Sequence, residues 1–355
     1  MAPFLRDRYG LSLGETGALI SASLAGSVLS LFGWGLVTDR IGERIVLVAG
    51  LGGCGLALLA ASRVGSFLPL FLLLMLAGSA GAAVQSASGS AVMAWFPISQ
   101  RGVALGIRQT AIPISGFAAS LALPPVARHG GTGLGFATLG VACLVATAIG
   151  GLVLRERVAP EAASGERRVK PLRDSRLWRI SVGSALVLAP QNCVLGFAVL
   201  FLHESRGLSP GAAAAVLAVV QALGVAGRIG AGRWSDVVGS RLGPLRTIAL
   251  AVTALVALTA VLVDAPLVVL LPALVAAGVL AMSWNSLSFA AAVELAGRRR
   301  SGAAIGLQQS VLNSSGTLYP PLFGVLVGAT SWRWGFLAVA LFPLAGWRVL
   351  RALPG

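Results

Sequence analysis

The phrase GIRQT, Gly106 to Thr110, sets a guanidinium inside an otherwise apolar run. Arg108 lies seven residues beyond Arg101, roughly 10 Å along a helix that rises about 1.5 Å per residue. At bilayer depth such a charge costs on the order of 3 kcal/mol on insertion scales. Two readings meet that cost. Arg108 can be a fixed cation that recruits an anionic solute through bidentate contacts, or it can snorkel back to the interface.

Amides surround it in sequence space. The chain has only ten Asn and Gln residues, and Gln100 alone lies in a loop. Inside long apolar stretches sit Gln85, Gln109, Gln191, Asn192, Gln221, Asn285, Gln308, Gln309 and Asn313. Buried amides either bind a solute or hold helices together. Trp284, beside Asn285, offers a face that stacks on or shields a planar solute, or else simply packs. Trp95 and Tyr319 are the other aromatic candidates. The expected solute site is therefore Arg108, Gln109, Gln85, Gln191, Asn192, Trp284, Asn285, Gln308, Gln309 and Asn313.

Other chemistries find no residues here. There is no HExxH, no GxSxG and no pair of carboxylates inside an apolar run, so no enzyme is expected. All twelve acids lie in loops or at helix ends, and His129 and His203 fall on the outer side, so no proton relay is visible. Cys54, Cys143 and Cys193 each sit in an apolar run without a CxxC partner. They read as small buried cysteines, with neither a disulfide framework nor a zinc site expected. No metal or cofactor is expected.

The elements that must carry these residues are membrane helices. Of 355 residues 56% are hydrophobic and 11% charged, against about a quarter charged in a soluble domain. Spanning helices need roughly 20 apolar residues, and runs of this length are helices because the backbone must satisfy itself in lipid. Eleven spans are read: 16–38, 45–62, 68–95, 103–127, 134–154, 177–201, 211–234, 246–263, 266–293, 302–328 and 333–350. Residues 155–176, with seven basic and four acidic side chains, form a solvated linker.

The net charge of +15 is spread over short loops, which excludes a compact nucleic-acid-binding surface. Twenty of the 27 Lys and Arg fall on one side of the predicted spans, the linker, Arg228, Arg233 and Arg241 among them. By the positive-inside rule the linker and C-terminus are cytoplasmic. No secretory signal is read at the N-terminus.

The chain also repeats itself. FLRDRYGLSLG at Phe4 to Gly14 returns as FLHESRGLSPG at Phe201 to Gly211, an offset of 197. The same offset carries Gly35, Asp39, Gly42 and Arg44 onto Gly232, Asp236, Gly239 and Arg241. An offset of 200 carries Gly106, Gln109, Ser115 and Gly116 onto Gly306, Gln309, Ser315 and Gly316. Arg108 falls on the neutral Gln308, so duplication did not require its charge. Two parallel halves need an even number of spans each, and the first shows five. A first helix is therefore expected upstream of Phe4, lost to a mis-assigned start or to a real truncation.

GWGLVTDRIGER at Gly33 to Arg44, the repeated halves and the charged linker together resemble the major facilitator superfamily. In that family the loop pattern G-x-x-x-D-R/K-x-G-x-R is met here by Gly35, Asp39, Arg40, Gly42 and Arg44. The second copy, GRWSDVVGSR, has Val237 where the first has Arg40. The resemblance implies an all-α membrane protein of two pseudo-symmetric bundles, with eleven of an expected twelve spans present. The halves would be residues 1–154 and 177–355. It also implies that four spans (45–62, 134–154, 246–263 and 333–350) stand outside a central cavity. None of these carries an amide.

The loop motif would act as a conformational latch. Asp39 and Asp236 would accept from a helix N-terminus or pair with Arg44 and Arg241. GIRQT further resembles the branch of cyanate and nitroimidazole permeases and related organic-anion carriers. The expected function is secondary transport of a small organic anion by a monomer in the plasma membrane. Drug–proton efflux is the alternative, although AIPISG at Ala111 to Gly116 departs from the efflux motif at Ile112 and Phe117. An inactive remnant is the other.

Overall fold

The computed structural model describes residues 10, 13–154, 171–297 and 300–353. The linker from 155 to 170, Arg298, Arg299 and most of the first FLRDRYGLSLG copy lie outside them. In chain order the helices are α1 (Leu13–Ile41), α2 (Glu43–Ala61), α3 (Phe67–Gly81), α4 (Ala83–Trp95) and α5 (Arg101–Val153). They continue as α6 (Ser175–Leu200), α7 (Pro210–Val238), α8 (Leu242–Val261) and α9 (Leu267–Ala281). Last come α10 (Asn285–Ala296), α11 (Ser301–Ala329) and α12 (Trp332–Arg351).

These helices correspond to the eleven spans. α5 contains two of them, joined where Gly130 and Gly131 leave helical dihedrals. The span at 68–95 is broken at Ala82 into α3 and α4, and the span at 266–293 is broken between Ala281 and Asn285 into α9 and α10. The two breaks fall 200 residues apart. Eight stretches among the described residues are long and apolar enough to cross a membrane, and α11 is not one of them. It carries Gln308, Gln309 and Asn313.

The repeat is visible in the backbone. Gly10 and Gly207, 197 apart, both take positive φ, at 61° and 71°. Gly42 and Gly239 do the same at 90° and 68°, at the turns after α1 and α7. A side chain would be strained there, which is why both copies keep glycine.

Contacts group the chain into two units. The first holds Met1–Trp95, Ile112–Pro171 and Ala296–Ser310. The second holds Phe96–Ala111, Leu172–Leu295 and Val311–Gly355. Thus α5 starts in the second unit and α11 in the first.

Within the first unit α1 lies directly on α3. A Cβ on Gly26 would sit 1.9 Å from the Met75 carbonyl oxygen, and one on Gly78 1.9 Å from that of Ser23. Lipid supplies no hydrophobic drive between helices, so close packing of small residues must do the work. Hydroxyls reinforce the seam: Ser27 Oγ donates to Gly78 O at 2.9 Å, Ser30 Oγ to Ser79 O at 2.9 Å, and Trp34 Nε1 to Ser79 O at 2.7 Å. Leu19, Ala22, Ala61, Leu70, Leu74 and Phe136 form the buried cluster at one end.

In the second unit Gly183 and Gly346 bring α6 onto α12. Phe197, Phe201, Phe323, Trp332 and Phe336 stack into one aromatic cluster. Arg246 ties α8 to the end of α12 by donating to Leu350 O and Leu353 O.

Gly78→Val should destabilise the first unit by about 1–3 kcal/mol, since the added atoms meet main chain that has no room to yield. Thermal unfolding in detergent checks this, with Gly33→Val, whose Cβ meets nothing within 4 Å, as a near-neutral control.

Candidate functional site

Two carboxylates cap two helices. In the first unit Asp39 accepts from Gly302 N at 2.8 Å and Ala303 N at 3.0 Å, at the start of α11. In the second unit Asp236 accepts from Gly102 N at 3.0 Å and Val103 N at 2.9 Å, at the start of α5. First-turn N–H groups have no partner within their own helix and carry the positive end of its dipole. A carboxylate answers both needs.

Glycine makes the approach possible. A Cβ on Gly302 would lie 2.7 Å from Gly35 O, and one on Gly102 would lie 2.4 Å from Gly232 O. Gly35 and Gly232 meet the same limit from the other side. Gly102 and Gly302 were not singled out from the sequence, although they share the 200-residue offset already seen at Gly106 and Gly306.

The two caps differ in their arginines. Arg241 donates to Asp236 Oδ1, to Ser235 Oγ at 2.9 Å, to Glu294 Oε1 at 3.0 Å and to Ile98 O. Burial works against its charge, and the Asp236 and Glu294 carboxylates outweigh that, holding its pKa above the ordinary arginine value. A cavity of about 400 Å³ opens beside it, lined by Ile98, Ser99, Asp236, Gly239, Arg241 and Glu294. Arg40 and Arg44 are exposed. Alanine 94 stands where the repeat would place a counterpart of Glu294.

The expected solute residues divide between the units. Gln85, Gln308 and Gln309 belong to the first. Gln308 is fully buried on α11, whose first turns lie against α1 and α4 through Gly306 at Leu31 O and Ile305 at Gly89. Arg108, Gln109, Gln191, Asn192, Trp284, Asn285 and Asn313 belong to the second unit. Arg108 Nη1 donates to Gln109 Oε1 at 3.2 Å. Asn285 Nδ2 donates to Gln191 Oε1 at 3.4 Å, and Asn192 Nδ2 to Gly316 O at 3.2 Å. Tyr319 OH donates to Ala185 O at 2.9 Å. Trp284 is completely buried and its Nε1 has no hydrogen-bond partner.

Sequence reasoning placed Arg228 among the cytoplasmic loop bases, and the structure corrects this. Arg228 is 3% exposed within α7. Its Nη1 donates to Gln109 O at 2.7 Å and its Nε to Met282 O at 3.0 Å. Met282 lies in the break between α9 and α10, where helix carbonyls lose their partners. No water is available in lipid to replace them, so a guanidinium on the neighbouring helix does so. Its place between Gly227 and Ile229, eight residues before the Asp236 cap, was the available signal. Arg108 and Arg228 thus converge on one residue, Gln109.

The Major Facilitator Superfamily model matches residues 1–318 of this chain. The chain belongs to the major facilitator superfamily. An uncharacterized MFS-type transporter of Mycobacterium tuberculosis is 35% identical over 347 residues, covering 97% of this chain and 78% of that protein. The hexuronate transporter of Bacillus subtilis is 26% identical over 115 residues, 32% of this chain and 27% of that one. Among solved structures, the fucose:proton symporter of Escherichia coli superposes with TM-score 0.77 at 16% identity, covering 99% of this chain and 94% of that one. The protein is therefore a multi-pass membrane transporter of this superfamily, not an enzyme.

Asp39→Ala and Asp236→Ala each leave two N–H groups without an acceptor and should cost about 1–3 kcal/mol. Asp236→Ala should cost more, because Arg241 also loses a partner. Thermal unfolding of the two purified variants checks the order. Arg228→Leu should lower stability by a similar amount, because it strands the Gln109 and Met282 carbonyls.

Proposed function

We propose that this secondary transporter carries a small organic anion. The observation that supports this most is the convergence of Arg108 and Arg228 on Gln109. A cation buried in a low-dielectric interior is costly, and an anion placed near it lowers that cost. Arg108 can meet a carboxylate with its planar fork. Trp284 Nε1 is a buried donor with no partner, and a solute acceptor would give it one. Gln191, Asn192, Asn285 and Asn313, all of the second unit, would set the solute's orientation. That the Bacillus subtilis relative moves a hexuronate, itself an organic anion, fits the same reading.

Transport would proceed by alternating access. The Asp39 and Asp236 caps, with Gly35, Arg40, Gly42, Arg44 and Arg241 around them, would form in one state and break in the other. Each cap consists of a few charge-assisted bonds, strong enough to hold a state and weak enough to open. In this reading residues 1–154 and 177–355 are the moving bundles, and the linker and C-terminus are cytoplasmic. The protein would work as a monomer in the plasma membrane.

Purified protein in liposomes tests the anion. Glucuronate is the first probe in an uptake screen of carboxylates. Saturable uptake of one anion, reduced at least tenfold in Arg108→Ala and partly retained in Arg108→Lys, is the expected result. Undiminished uptake in Arg108→Ala would show that this side chain only snorkels. Movement of uncharged drugs with no anion uptake would favour the efflux alternative.

A further inference from the structure

Four guanidiniums gather at the C-terminal end of α12, within the second unit. Arg348 and Arg351 lie in its last turn, and both are exposed. Arg351 stands over the Trp347 ring, 5.3 Å from its centroid. Arg179, near the start of α6, donates from Nη1 to Ala352 O at 3.4 Å. Arg246, near the start of α8, donates from Nε and Nη2 to Leu350 O and from Nη2 to Leu353 O. Glycine fixes the approach of α6 to α12, since a Cβ on Gly346 would lie 2.7 Å from Gly183 O.

The helix end accounts for only part of this charge. A helix C-terminus carries about half a negative charge, and basic side chains bond its last carbonyls. Four positive charges exceed that several times over. Carboxylates do not make up the difference. In the second unit Asp174 pairs with Arg176, Asp236 and Glu294 with Arg241, and Asp264 with Arg333. Glu204 lies beyond the opposite end of α6. Among the described residues none of the four guanidiniums pairs with a carboxylate. Their apolar neighbours face outward. Val182 one turn beyond Arg179, Leu250 one turn beyond Arg246 and Leu341 two turns before Arg348 are all exposed. Residues three, four or seven apart share a helix face, so each of these arginines ends an apolar strip suited to hydrocarbon. Trp178 and Trp347 stand beside them, and such rings favour the membrane–water boundary.

We propose that Arg179, Arg246, Arg348 and Arg351 seat the phosphate of an anionic phospholipid, with its acyl chains along Val182, Leu250 and Leu341. The planar arginine fork matches phosphate oxygens in pairs. The main-chain bonds use Nη1 of Arg179 and Nε and Nη2 of Arg246, which leaves donors on both. A zwitterionic lipid brings its own cation to the cluster and cancels most of the gain. Free phosphate offers the same oxygens but nothing for the apolar strips. An anionic lipid uses both features, and basic pockets between membrane helices suit such headgroups. Bound there, it would tie together the ends of α6, α8 and α12.

The experiment is native mass spectrometry of the full chain in neutral detergent, offered equal amounts of phosphatidylglycerol and phosphatidylcholine. The wild type should retain the first phosphatidylglycerol about tenfold more than phosphatidylcholine, and the double variant Arg348→Gln/Arg351→Gln should lose that preference. Arg128→Gln/Arg233→Gln, which removes the same charge from two other exposed positions, should keep it. Excess inorganic phosphate should leave the lipid bound. A wild type that does not discriminate overturns the proposal whether or not any variant folds. So does a preference that survives in Arg348→Gln/Arg351→Gln, or one that the control pair loses equally. Displacement by inorganic phosphate would make the site one for the free anion and overturn the lipid assignment.

Discussion

A peptide group inside a bilayer has no water to bond to, so every helix end and every helix break at depth must be answered by another part of the chain. Most of this protein's distinctive contacts are such answers. Asp39 and Asp236 take up the first N–H groups of α11 and α5. Arg228 takes up a carbonyl in the break between α9 and α10. Ser27, Ser30 and Trp34 lend donors to carbonyls of α3, at and near its C-terminal end. Charged groups appear where two or more backbone partners converge, because there a charge-assisted bond recovers part of the cost of burial.

The same constraint explains the glycines. A carboxylate can cap a helix on a different segment only if the two backbones come within a van der Waals contact. Gly35 with Gly302, and Gly232 with Gly102, give that approach. Glycine here does not confer flexibility. It removes the methyl that would hold the capping carboxylate too far away. The two copies share this arrangement, and they differ where Arg241 gathers Asp236, Glu294 and Ile98 O while Arg44 stays exposed. Such a difference gives the two caps different strengths.

Much of the fold was legible because membrane helices announce themselves by length and apolarity. The eleven spans, the repeat at 197 and the loop motif each followed from residue type and spacing. The positive φ of Gly42 and Gly239 agrees with the turn that the motif demands. The site was legible in kind but not in grouping. Arg108, Gln109, Gln191 and Asn285 were identified as polar exceptions, yet the bonds Asn285 makes to Gln191 and Arg228 makes to Gln109 O depend on helices far apart in the chain. Arg228 was misplaced because counting bases by loop assumes that a residue near a span's end faces water.

By itself the sequence determined the class of protein, the run of apolar spans, their duplication and the polar residues that stand out within them. Those properties are local, set by transfer energies and by the reach of a few residues. Only the tertiary structure decided which helix N-terminus each aspartate caps and which carbonyls Arg228 holds. These depend on which faces of distant helices are pressed together, and in lipid that choice rests on many small packing contacts with no periodic signature.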